Sequence, residues 1–320
     1  MVRVRLEEFK VFSGSSNEIL SKRIVEYLGI SAGKILVTRF PDGEIYVRCL
    51  ENVRGKEIFV IQSTYSPSDN IVELLIMIDA LKRASARSIC AVIPFFGYAR
   101  QDRKTKSREP ISAKLMANLI TTAGASRVIS VDLHAGQIQG FFDIPMDNLT
   151  AYLILGRYFR EKGLKEPVIV APDVGAVHRA TQFAGEIPTS TQAIFVKKRL
   201  SPEEVETSRL IGDVKGKSVI LVDDAIHTGG TLISAAEEVL RRGAVEVYAS
   251  ATHGVFAGDA LEKLDHSPIK EIVVTDTMPV EKRINLPEKV KVLTVAPLIG
   301  EAIRRIVLHE SVSELFEKGL

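Results

Sequence analysis

A gapless internal repeat narrows the possible folds most. GKEIFVIQSTYSPSDNIVELLIMIDAL, starting at Gly55, aligns to GKSVILVDDAIHTGGTLISAAEEVLRR, starting at Gly216. Each copy reads as a strand, an eight-residue polar loop, a helix and then another strand. Units of strand, helix and strand share apolar patterns, so chance is the alternative to duplication. If the repeat is real, the chain is two tandem α/β domains.

The rest of the chain follows the same alternation. Strands are expected at Glu57–Gln62, Ser88–Pro94, Val128–Asp132, Val168–Ala171, Ser218–Val222, Val245–Ala251 and Glu271–Thr275. Helical apolar spacing runs through Ile71–Ala84 and Thr231–Gly243, the second with a basic, glycine-closed end. Continuous apolar strands between helices imply a mostly parallel sheet covered on both faces. Domains are expected over 1–150 and 151–320, with the C-terminal segment able to pack back on the first.

Composition excludes several classes. The chain has 320 residues, of which 46% are apolar, enough for real cores. Forty-two basic against 40 acidic residues, a net charge of +2, argue against nucleic acid as the main partner. Cys49 and Cys90 sit in apolar runs without metal-site spacing and read as thiols of a reducing compartment. MVRVRLEEFKVF lacks a signal-peptide core, and no run approaches the ~20 apolar residues of a membrane span. The expectation is a cytoplasmic protein with no membrane partner.

The strongest local chemistry lies in VDDAIHTGGT, Val222–Thr231. A strand ends in Asp223 and Asp224, and Thr228-Gly229-Gly230-Thr231 then leads into a helix. The glycines permit close approach of backbone N–H groups to an oxyanion, and the helix start adds a favourable dipole. The two acids would repel a phosphate at the same spot but suit sugar hydroxyls or a metal-bound diol beside it. Phosphate plus a vicinal diol is a ribose phosphate; a capped tight turn is the plainer alternative. No GxxxxGK[ST] loop and no GxGxxG turn occurs.

Other polar clusters follow strands. FFGYARQDRKTKSREP packs five basic and two acidic residues into Arg100–Glu109, as a solvated loop or a polyphosphate-binding one. VDLHAGQIQGFFDIP and APDVGAVHR place Asp132, His134 and Asp173 at strand ends, where ligands of open α/β sheets gather. Acids there suit Mg²⁺ bound through a few side chains and phosphate oxygens. FVKKRLSPEE carries Lys197, Lys198 and Arg199, and TRFPDGE reads as a turn with an out-of-place Phe40.

Together, RFPDGE, ELLIMIDALKRA, GYARQDRK, KSREPISAKL, VDLHAGQIQGFFDIP and the closing SVSELF resemble ribose-phosphate pyrophosphokinase of the phosphate-regulated class. The likeness spans about Phe12 to Phe316. It implies two phosphoribosyltransferase-type domains, the first without a working phosphate loop. It also implies that Asp223, Asp224, His227, Thr228, Gly229, Gly230 and Thr231 bind ribose 5-phosphate. Arg100 and Gln101 would hold ATP, and Phe40, Asp42 and Glu44 would reach the adenine from a neighbouring subunit. His134 and Asp173 would match Mg²⁺-site residues, with Lys197 and Arg199 as catalytic cations. Arg108, Gln139, Asp147, Ser311 and Ser313 would match a site where phosphate activates and ADP inhibits. The family's usual assembly is a homohexamer built from dimers.

In that reaction the sugar 1-hydroxyl attacks the β-phosphorus of ATP and AMP leaves, with cations stabilising the spreading charge. No side chain is an obvious general base. The sequence departs from the family at His227 (often an acid), Ala176 (often glycine), Gly185-Glu186 (often Asp-Arg), Thr105 (Asp in some) and Glu314 (commonly Tyr). Glu314 adds negative charge beside the expected regulatory pocket. Three competing readings stay open: a phosphoribosyltransferase, a non-catalytic regulatory paralogue, and an RNA-binding regulator on the same fold.

Overall fold

Strands with apolar residues at successive positions have no face to offer water, so they must lie inside a sheet covered on both sides. In the computed structural model, which describes residues 8–198, 207–282 and 286–317, the chain forms two compact units. The first comprises the described residues of Met1–Thr150, Thr277–Pro279 and Thr294–Leu320; the second comprises those of Ala151–Asp276 and Val280–Leu293.

The first unit contains strands β1 (Phe9–Ser13), β2 (Ile35–Arg39), β3 (Ile45–Cys49), β4 (Glu57–Ile61), β5 (Ser88–Ile93), β6 (Arg127–Val131) and β7 (Met146–Leu149). Its first helices are α1 (Glu18–Leu28), α2 (Asp69–Arg83) and α3 (Ser112–Ala123). A five-stranded parallel sheet runs β1-β4-β5-β6-β7, while β2 and β3 make a separate antiparallel hairpin. Every residue of β4, β5 and β6 after the first is buried, and Leu74, Met77, Ile78 and Leu81 of α2 close the core beside them.

The second unit contains α4 (Tyr152–Lys162), β8 (Val168–Ala171), α5 (Val177–Gly185), β9 (Thr191–Lys198), β10 (Thr207–Ile211), β11 (Ser218–Ile226), α6 (Gly230–Arg241), β12 (Glu246–Gly254), α7 (Ala260–Asp265), β13 (Glu271–Thr275) and β14 (Val290–Leu293). Its sheet runs β10-β9-β8-β11-β12-β13-β14, parallel except where β10 turns back on β9. The last helices, α8 (Ala296–Leu308) and α9 (Glu314–Glu317), belong to the first unit. There α8 packs on α1, and Tyr27 Oη donates to Glu301 Oε2 at 3.3 Å. Hydrogen bonds from Arg304, and then from Arg305, hold the Glu301 carboxyl down at about 2 against its burial.

The repeat extends to hydrogen bonds. Gly55 and Gly216 open their copies at φ +72° and +71°. Gly55 N donates to Ser85 O at 2.9 Å, and Gly216 N to Gly243 O at 2.8 Å. Strand order agrees as well, β1-β4-β5-β6-β7 matching β8-β11-β12-β13-β14.

The copies differ at the strand end. The second strand continues past the expected Val222 to Ile226, because β12 runs alongside it, Ala225 beside His253 and Ile226 beside Gly254. Asp223 and Asp224 therefore sit on the strand, and the expected eight-residue loop shrinks to His227–Gly229 before α6. In the first copy β4 stops at Ile61, and Gln62–Ser68 separates it from α2. Cys49 and Cys90 are free thiols. Among the described residues no helix is long and apolar enough to cross a membrane.

Candidate functional site

In the second unit, the end of β11 brings two acids into a poorly hydrated place. Asp224 is 6% exposed, and the Asp223 side chain is 24% exposed. Burial first, and then the neighbouring Asp224 carboxylate, pushes the Asp223 carboxyl up to about 8. The Asp224 N–H, which donates to Asp223 Oδ1 at 2.8 Å, and the Arg179 guanidinium pull the other way. Arg179, on α5, places one nitrogen 3.4 Å from Asp224 Oδ1 and 3.7 Å from Asp223 Oδ1. Sequence reasoning did not single out Arg179. Its only signal is its place six residues after Asp173, which does not reveal that α5 folds against β11.

The turn that follows has the backbone geometry of an anion site. Gly229 is the N-cap of α6 at φ +75°, a conformation that side chains with a Cβ rarely adopt, and a Cβ there would lie 3.1 Å from Leu264 Cγ. Ile226 O and His227 O accept from Phe256 N (2.9 Å) and Ala257 N (2.8 Å), which pins the turn to the chain beyond β12. Gly229 has no side chain with which to cap α6, and the first turn of that helix opens at a place where Thr228, Gly230 and Thr231 are exposed.

Asp173 follows β8, half-buried, and its Oδ1 accepts from Ala176 N at 3.1 Å. The Ala176 methyl is fully buried and does not stand out over the turn. Glu186 sits 3.5 Å from Arg160 and against Gly156. Lys197 lies on β9 beside Ser208 of β10. Arg199 lies outside the described residues.

In the first unit, Phe40, Asp42 and Glu44 form the exposed turn of the β2–β3 hairpin. Phe40 N donates to Glu44 O at 2.8 Å, and the Phe40 and Tyr46 rings meet edge-on at 5.2 Å. Arg39 holds this turn, bonding Gly43 O at 2.8 Å and Asp69 at 2.7 Å. Arg100, Gln101 and Arg108 are exposed beyond β5, and Gln101 Oε1 accepts from Ser112 Oγ. Within that loop Glu109 accepts from Thr105 N, Thr105 Oγ1 and Lys106 N, each at 2.8 Å, and the hydroxyl donation is one that an ionised acid could not make. Past β6, Asp132 is buried at φ +41° and His134 is half-buried. Gln139 is exposed in the short turn Gly136–Phe141.

Three expected regulatory positions have partners inside the unit. Asp147 on β7 is paired with Arg127 at 2.6 Å. Ser311 O accepts from Arg305 Nη1 at 2.7 Å, and Ser313 N donates to Ser311 Oγ at 3.3 Å. The added charge of Glu314 meets Arg305 at 3.1 Å.

Comparison with known proteins covers nearly the whole chain. Residues 9–124 match the model of the N-terminal domain of ribose phosphate pyrophosphokinase, and residues 188–317 match the phosphoribosyl synthetase-associated domain. A ribose-phosphate pyrophosphokinase of Fusobacterium nucleatum is 50% identical over 316 residues, covering 98% of this chain and 99% of that protein. One of Caldanaerobacter subterraneus is 55% identical over 311 residues, covering 96% and 97%. The crystal structure of phosphoribosylpyrophosphate synthetase from Mycobacterium smegmatis superposes with a TM-score of 0.88 at 41% identity, covering 94% of this chain and 99% of that one. Matches of this extent, over both units and at this identity, establish kinship: the chain belongs to the ribose-phosphate pyrophosphokinase family.

Proposed function

We infer that the protein transfers the pyrophosphoryl group of ATP to the 1-hydroxyl of ribose 5-phosphate, releasing AMP. One observation carries this reading: an acid pair on the end of β11, followed at once by a glycine turn at an uncapped helix start. The 5-phosphate takes the first-turn N–H groups of α6 and the Thr228 and Thr231 hydroxyls, while Asp223 and Asp224 take ribose hydroxyls. His227 is the remaining member of this binding set.

ATP is assigned to Arg100 and Gln101 and to the Phe40, Asp42 and Glu44 turn, the latter acting from a neighbouring subunit of a homo-oligomer, a hexamer of dimers. Lys197 and Arg199 stabilise charge that spreads over the transferring and leaving phosphate oxygens. Asp173 supplies hard oxygen, the donor type Mg²⁺ prefers, and His134 is assigned to the Mg²⁺ site as well. Among the described residues no three His, Cys, Asp or Glu side chains gather as ligands, so most oxygens of such an ion would come from phosphates and water. When bound, Mg²⁺ neutralises triphosphate charge. Arg108, Gln139, Asp147, Ser311 and Ser313 are assigned to phosphate and ADP as effectors. The cytoplasm is the compartment this chemistry fits.

The test is AMP release by the purified protein from MgATP and ribose 5-phosphate, with and without inorganic phosphate. Ribose-dependent AMP formation is expected, rising with phosphate. No AMP under any phosphate condition would sink the catalytic reading.

A further inference from the structure

Two adjacent carboxylates in a partly buried place repel each other, and burial favours their neutral forms. An acid pair that takes sugar hydroxyls must nevertheless keep one negative charge between its members and a fixed direction. The position of Arg179 answers this. One guanidinium nitrogen lies 3.4 Å from Asp224 Oδ1, 3.7 Å from Asp223 Oδ1 and 3.4 Å from Gly175 O. The last contact ties the same group to the turn that carries Asp173. The Arg179 side chain is only 14% exposed, and arginine keeps its charge at any working pH.

The two copies supply independent support. Phe12 pairs with Val60 in the first unit as Val170 pairs with Leu221 in the second. Counting onward from these strands, the place of Arg179 falls to Ser21, a buried residue whose Oγ donates to Asn17 O at 3.0 Å. The acids fall to Gln62 and Ser63. The cation is present where the acid pair is present and is replaced where the pair is replaced.

We propose that Arg179 is a positioning residue of the ribose 5-phosphate site, holding the negative charge that the Asp223–Asp224 pair shares and the orientation of both side chains without touching the reacting atoms. This rests on the reading of that acid pair as the ribose-binding group. Truncating such a group weakens sugar binding while leaving the chemical step of bound substrates in place.

Steady-state kinetics of R179Q and R179K, with ribose 5-phosphate and MgATP varied in turn, test it. R179Q is expected to raise KM for ribose 5-phosphate about tenfold or more, with kcat within about threefold and KM for MgATP within about twofold. R179K, which keeps the charge, recovers most of that loss. An unchanged KM in R179Q, a fall in kcat alone, or an R179K no better than R179Q would each overturn the proposal. If R179Q does not fold, the R179Q/D223N double variant decides: restored folding supports charge compensation, and a double variant no more stable than R179Q refutes it. D224N separates the two levels. A wild-type KM in D224N removes the ribose 5-phosphate site itself, whereas an impaired D224N beside an unaffected R179Q removes only the role of Arg179.

Discussion

The end of β4 and the end of β11 occupy the same place in two copies of one unit, yet one is sealed and the other is open. After β4, Gln62 Oε1 accepts from Ser16 N at 3.0 Å, and its Nε2 donates to Asn70 O and Glu73 Oε1 at 3.1 and 3.0 Å. Glu73 accepts in turn from Ser15 N at 2.7 Å and Ser15 Oγ at 2.6 Å. Ser63 N donates to Ser16 Oγ at 2.9 Å. By strand pairing, Ser15 stands where Asp173 stands, and Gln62 where Asp223 stands. The first copy thus satisfies its polar groups internally, while the second keeps three acids and a left-handed glycine N-cap at the corresponding place. Duplicated scaffolds diverge most readily here, because strand ends lie outside the packed core that both copies must preserve.

The contrast can be broken in four ways. The largest effect belongs to the hairpins inserted between the first and central strands of each copy. Lys197, on the second, is assigned to catalysis, and K197A is expected to lower kcat by 10²–10³, about 3–4 kcal/mol. Near-full turnover in AMP-release kinetics removes Lys197 from the mechanism.

Next is a pH response at the open strand end. Asp223, pushed up to about 8 from an unfolded value near ~4, holds a proton in the native state that the unfolded chain has already lost. Its stabilising contribution is complete below about pH 4 and disappears as pH rises through about 8. Melting temperature should therefore fall by several degrees across that window, and D223N should flatten the slope. Parallel pH curves for the two proteins would contradict the assignment.

The sealed copy responds differently. E73A leaves Ser15 and Gln62 donors without their buried acceptor and is expected to cost about 3 kcal/mol by denaturant unfolding. Its KM for ribose 5-phosphate stays within about twofold. A large change in that KM would mean that the first copy's strand end is more than structural. The smallest effect is G229A, where positive φ and the contact with Leu264 together cost about 1–2 kcal/mol, with a modest rise in KM for ribose 5-phosphate. Unaltered stability would show that the turn does not require glycine.

Much of this was legible before folding was considered. The periodicity of Ile71–Ala84 and Thr231–Gly243 locates α2 and α6 to within about two residues. The pair Asp223-Asp224 and the glycines after it mark the open strand end by composition alone. The extent of β11 was not legible, since it depends on β12 running beside it rather than on local preference. The partners of Glu314 and Asp147 were not legible either: a charge counted as added, or as regulatory, meets Arg305 or Arg127 only after the helix or strand pairing is made.

By itself the sequence determined the alternation of strands and helices, the internal likeness of two segments, and the chemical groups available at each strand end. These follow from side-chain periodicity and backbone preference, which act over a few neighbouring residues. Only the tertiary structure decided that Glu73 and Gln62 close on Ser15, that Arg179 bears on Asp223 and Asp224, and that residues 294–317 join the first unit. Those outcomes turn on which distant segments bury their surfaces together, a global balance of burial and hydrogen bonding that no local stretch encodes.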